Sequence, residues 1–239
     1  MIESARRLLD QKFGSLGVWI SLVALVLLGA LLLVSGQTSM GLVTVLGVFV
    51  VTAGIVSRDA ASGALQMILS RPILRAQYLF GRYLAALTLM AGFLASVFAT
   101  AVLIDRAAAL AGWTGGSAFL WQEGLRVVVS EFPRAALDAA ILLFFSTFLR
   151  GLGDALAFVL CGIVLNLLPQ VATALRKPGL ARFGRRLLAN VAPDGAWSSI
   201  FHGGPILQAA TGQWALAMAV YLLLASIVFN RRELSYGQD

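Results

Sequence analysis

Leu16 to Val34 is a run of nineteen residues without a charged side chain, and a folded chain has few places to put such a run. As a helix rising about 1.5 Å per residue it is nearly 30 Å long, close to the thickness of bilayer hydrocarbon, where each backbone N–H and C=O must be bonded within the helix. Comparable runs recur along the sequence. Hydrophobic residues make up 59% and charged residues 12% of the 239 positions, far from the roughly 45–50% and 25% of soluble domains. The profile is that of an integral membrane protein with several crossings. Polar stretches between the runs are too short to bury a core of their own, so the expected organisation is one all-helical transmembrane domain over residues 1–239.

Six spans are expected. Residues 16–34 and 40–56 make a hairpin around the turn-forming Ser35 to Ser39. The third, 83–104, is closed by Asp105 and Arg106. The fourth, 134–149, carries Asp138 and continues a helix from Phe119 through a kink at Pro133. After the polar turn Arg150 to Asp154 comes the fifth, 155–171, and the last, 213–229, is stopped by Asn230-Arg231-Arg232-Glu233. Six crossings put both termini on one side. Of the 18 Lys and Arg, ten fall on the side of the termini and eight on the other. The ten crowd against span ends in short connections, which weigh most in setting orientation. Both termini are therefore expected in the cytoplasm, with the protein in the plasma membrane, the inner membrane of a bacterium.

The net charge of +7 does not argue for nucleic acid, because the cations sit beside apolar spans and form no basic stripe with interleaved aromatics. Arg6, Arg7 and Lys12 before an apolar run resemble a secretory signal, but the run exceeds the usual signal core of about 7–15 residues, so it is read as a retained first span. Cys161 stands alone inside an apolar run and is expected to be a small buried side chain.

Two amphipathic helices are expected. One is at the amino terminus, with Ile2, Ala5, Leu8 and Leu9 opposite Glu3, Arg6, Arg7 and Asp10. The other lies between spans five and six, interfacial or re-entrant, with Leu180, Phe183, Leu187 and Leu188 opposite Arg182, Arg185 and Arg186. Those three arginines are candidates for contact with lipid or with anionic cargo. Asp138 is costly in hydrocarbon and should face the bundle or a wet path, lining a cargo route or pairing with Arg134. Asn166, Gln170 and Thr173 read as polar contacts between helices. Ser117 and His202 could make a nucleophile and base, yet both fall in Gly-rich loops, which argues against a hydrolase. No metal cluster or catalytic carboxylate pair is legible.

The segment from Ser57 to Arg82 carries four arginines and one acid between two apolar runs. Ser57 to Ser70 suits one helix, with Leu65, Ile68 and Leu69 on its apolar face and Ser57 or Asp59 as amino-terminal cap. Pro72 interrupts it and sits well in the first turn of a second helix that runs through Tyr78 into the third span. The product is a surface lever joined to a span.

The pattern Asp59-x-x-x-Gly63-x-Leu65-Gln66-x-x-Leu69-Ser70-Arg71-Pro72-Ile73-x-Arg75-x-x-Tyr78-x-x-Gly81-Arg82 resembles the cytoplasmic loop of type-two ABC transporter permeases, and Phe229-Asn230-Arg231-Arg232-Glu233 resembles that family's carboxy-terminal ending. Ala64 and Arg82 stand where the family usually has Thr and Lys. With six spans and the amphipathic start, the resemblance covers nearly the whole chain. It implies that the loop is a coupling element resting in a cleft of a separate ATPase, with ATP and Mg bound on that partner and no cofactor on this chain. Asp59, Arg71 and Arg75 would make charged contacts, Leu65, Ile68 and Leu69 an apolar plug, Gly63 would belong to the same coupling element, and Pro72 would begin the rigid link to the third span. It further implies two ATPase copies, a homodimer or a pair with a related permease, and outward transport. The sequence has no Gly-x-x-x-x-Gly-Lys-Ser/Thr, so a P-loop would have to come from another polypeptide. The alternatives are a non-transporting complex that transmits ATPase motion and an ion-coupled secondary carrier, for which no internal halves are legible.

Overall fold

The computed structural model describes residues 16–36, 40–53, 55–56, 59, 75–112, 120–149, 153–193, 197, 200, 205 and 208–231. Among these it forms seven helices and no strand: α1 (Leu16–Val34), α2 (Gly41–Thr52), α3 (Arg75–Leu110), α4 (Trp121–Phe148), α5 (Gly153–Ala174), α6 (Pro178–Val191) and α7 (Ala209–Arg231). Four of them, α1, α3, α5 and α7, are long and apolar enough to cross a membrane. α2 is shorter than the expected 40–56, because the chain turns extended at Ala53 (φ −55°, ψ 129°). α4 is one continuous helix through Pro133. Lacking an N–H, Pro133 cannot bond the Val129 carbonyl, and its own carbonyl accepts a bond from Trp214 Nε1 at 3.0 Å.

α4 is the centre of the bundle. From Ala135 to Leu143 all nine consecutive residues are buried, which a helix achieves only when neighbours cover it all round, and α2, α3, α5 and α7 do so. Small residues set the closest approaches. Gly47 of α2 faces the Phe93 ring of α3 so closely that a Cβ there would stand 2.6 Å from Cε1. At Gly29 of α1 a Cβ would stand 3.0 Å from both Met40 and Val97.

Pairings along the helices fix their directions. Tyr83 of α3 donates to the Ala136 carbonyl of α4 at 3.0 Å, while Val56, just after α2, donates its N–H to Ser146 Oγ of α4 at 3.0 Å. With Arg75 at the start of α3 bonded to the Asn230 carbonyl of α7, the ends of α2, α4 and α7 and the start of α3 gather at one end of the bundle. At the periphery, α5 buries only Asp154, Ala155 and Ala172 and exposes Leu156, Val159, Leu160, Ile163, Val164, Leu167 and Val171. So continuous an apolar surface suits a membrane-embedded protein. Cys161 lies on this surface and is exposed, not buried as expected. Asn166 and Thr173 bond the carbonyls of Gly162 and Pro169 in their own helix instead of reaching a neighbour.

α5 ends in a Schellman turn. Lys177 N–H bonds the Ala172 carbonyl, Arg176 N–H bonds that of Thr173, and Arg176 takes the left-handed φ of 52° that the motif requires. Pro178 then opens α6 with its φ already suited to the first helical turn. α6 folds back along α5, and a Cβ at Gly184 would stand 3.1 Å from Pro169 Cγ. The face toward α5 is made of Ala181 and Gly184, both buried, whereas Leu180 and Phe183 are exposed.

Candidate functional site

Arg75, Tyr78 and Arg82 are spaced three and four apart, so they form one stripe on α3, at the end of the bundle where α2, α4 and α7 finish. Asp59 is held against this stripe. Its Oδ2 accepts a bond from Tyr78 Oη at 2.5 Å and pairs with Nη2 of Arg82, while Arg82 Nε donates to Tyr78 Oη at 3.3 Å. The guanidinium carbon lies 5.5 Å from the Tyr78 ring centre. Asp59, Tyr78 and Arg82 are each no more than 1% exposed.

A buried ion pair is costly to desolvate, and its attraction repays that only with good geometry and further hydrogen bonds. Here Tyr78 supplies the further bonds by bridging both charges, although Arg82 Nη1 has no hydrogen-bond partner among the described residues. The arrangement therefore adds more to registration than to stability: it fixes where the chain after α2 meets α3.

The same stripe grips α7. Arg75 Nη1 donates to the carbonyls of Phe229 at 3.4 Å and Asn230 at 3.0 Å, which belong to the last turn of α7, where carbonyls lack helical partners and the helix dipole favours a cation. The Tyr78 ring stacks on Phe229 with centroids 5.9 Å apart. Two anchors thus bracket residues 60–74, Asp59 before them and Arg75 after them, and both anchors act on the first two turns of α3.

This places the expected site residues differently from one another. Gly63, Leu65, Ile68, Leu69, Arg71 and Pro72 lie outside the described residues, as do Ser117, His202 and the amino-terminal amphipathic segment. Of the residues expected to contact a partner, Asp59 is engaged inside the bundle with Tyr78 and Arg82, and the half-buried Arg75 bonds the last turn of α7. Tyr78 and Arg82 complete the junction. Their four-residue spacing was a signal, but nothing in the sequence says that Asp59 comes to meet them.

Asp138 is 9% exposed on α4, between Leu137 and Ala139 and one turn before Leu142. Arg134, its expected partner, turns its guanidinium over Gly41, where a Cβ would stand 2.9 Å from Nη1. Arg182, Arg185 and Arg186 are all exposed on α6, and α6 touches α7 through the Val191 carbonyl, which accepts a bond from Tyr221 Oη at 3.2 Å. Among the described residues there is no group of three His, Cys, Asp or Glu able to hold a metal ion. No family model, curated protein or solved structure matches the chain.

Proposed function

We propose that the chain is the membrane-spanning subunit of an ATP-driven transporter of the type-two ABC permease kind, worked by a separate ATPase that pushes on the segment within residues 57–82. In this reading the chain crosses the membrane six times with both termini cytoplasmic, assembles as a dimer or with a related permease, and moves its cargo outward. ATP and Mg stay on the ATPase.

The observation that supports it is the pair of tethers at Asp59 and Arg75, the described residues on either side of positions 60–74. A force on a segment tied only by flexible ends would be lost in the ends. Here Asp59 is bonded to Tyr78 and Arg82, and Arg75 to the end of α7, so displacement of the segment would move α3 and α7 together. Asp59 and Arg75 act in this scheme as positioning residues, and direct contact with the ATPase falls to Leu65, Ile68, Leu69 and Arg71.

Co-purification in mild detergent tests the reading. The tagged chain should carry an ABC ATPase with it, and substitution R71A or L65A should weaken that association. With Y78F the ATPase should still be recruited, while its stimulation by the membrane subunit falls several-fold. Recovery of the chain without any ATPase would sink the proposal.

A further inference from the structure

From Ala155 to Pro193 the sequence holds no acidic residue, yet Arg176, Lys177, Arg182, Arg185 and Arg186 fall within it. The three arginines of α6 are exposed and have no described carboxylate near them in the chain. α6 also exposes Leu180 at 41% and Phe183 at 57%. With Ala181 and Gly184 turned onto α5, a rotation of about 100° per residue puts Arg182 and Arg186 on the free side directly beside Phe183, with Leu180 and Leu187 beyond it. Gly179 lies in the seam between the two, and a Cβ there would meet no atom within 4 Å. The free face is therefore basic along one edge and apolar along the next, with open space at the join.

The two edges run side by side down α6 from the turn, in the order Leu180, Arg182, Phe183, Arg186, Leu187. Gly184 lies opposite Pro169, five residues before the end of α5, which sets it about 8 Å below the turn at about 1.5 Å per residue. Side chains on a helix tilt toward its amino terminus. Since α6 begins at the turn and runs back along α5, its arginines aim back toward the turn, and with the turn at a membrane surface that distance is one long cationic side chains can cover.

We propose that this face of α6 is a binding site for an acidic phospholipid, its phosphate held by Arg182 and Arg186 and its acyl chain laid along the apolar edge of Phe183 and Leu187. A guanidinium pair four residues apart offers forked donors to phosphate oxygens, and one molecule with an anionic head and an apolar tail matches both edges. The proposal rests on embedding in a membrane and is independent of any ATPase, so the two readings fail separately.

Native mass spectrometry of the purified protein, titrated with phosphatidylglycerol or with phosphatidylcholine of the same acyl chains, tests it. The wild type should retain phosphatidylglycerol with a preference on the order of tenfold, R182Q/R186Q should bring the preference close to one, and R182K/R186K should keep part of it. Inorganic phosphate at the same concentration should not displace the lipid. Should the glutamine variant not fold, a photoactivatable phosphatidylglycerol on the wild type should cross-link to the peptide 178–191. Equal retention of the two lipids, unchanged preference in R182Q/R186Q, cross-links elsewhere, or displacement by phosphate alone, which would mark a site for a soluble anion, each overturns the proposal.

Discussion

Removing either charge of the Asp59–Arg82 pair leaves the other in a site closed to water, and that asymmetry governs what substitution does there. D59N or R82Q should each destabilise the protein by about 3–5 kcal/mol, read as a fall in the thermal midpoint in detergent. D59L/R82M, which removes both charges, should cost less than either single change; if it costs their sum, the pair is not coupled as the geometry requires. Gly47 shows the opposite sensitivity, to volume. Its added methyl would meet the Phe93 ring at 2.6 Å, so G47A should cost about 1–3 kcal/mol, and F93L should recover part of it in the same unfolding assay. Neither effect was legible in the residues alone. Tyr78 and Arg82 share a helix face by spacing, but the fifteen residues between Asp59 and Arg75 carry no register that says which face Asp59 will meet.

The hairpin of α5 and α6 shows what an element adds. Periodicity was enough to expect a helix with arginines on one side, and α6 is that helix. It did not say which part of the apolar side would pack, because Leu180 and Phe183 look like the better core. Close approach selected Ala181 and Gly184 instead, since only small side chains let two helix backbones come so near. G184L should therefore detach α6, seen as faster hydrogen exchange over residues 178–191 with α4 unchanged. At the turn, Arg176 takes a left-handed conformation that costs a residue with a Cβ about 1 kcal/mol. R176G should raise the unfolding midpoint by a corresponding amount, and a fall would mean that the arginine side chain itself holds the turn.

For the molecule as a whole, the exposed apolar sides of α5 and α7 make sense only away from water. Cys161 on that side of α5 should resist a charged maleimide in native membranes and react after unfolding in detergent; labelling in the intact membrane would place this surface in water. The sequence by itself determined the all-helical class suited to a membrane and the amphipathic α6, because hydrocarbon thickness and unpaired backbone groups act on local composition; against the six spans expected, four helices among the described residues are long and apolar enough to cross. It determined the charged segment after α2 as the odd stretch for the same reason. Only the tertiary structure decided that Asp59 joins the α3 stripe, that Arg75 caps α7, and that Arg134 turns to Gly41 and not to Asp138. Those choices depend on which helices become neighbours and at what height. Helix neighbours are selected by packing across distances of many residues, and composition within one span is blind to them.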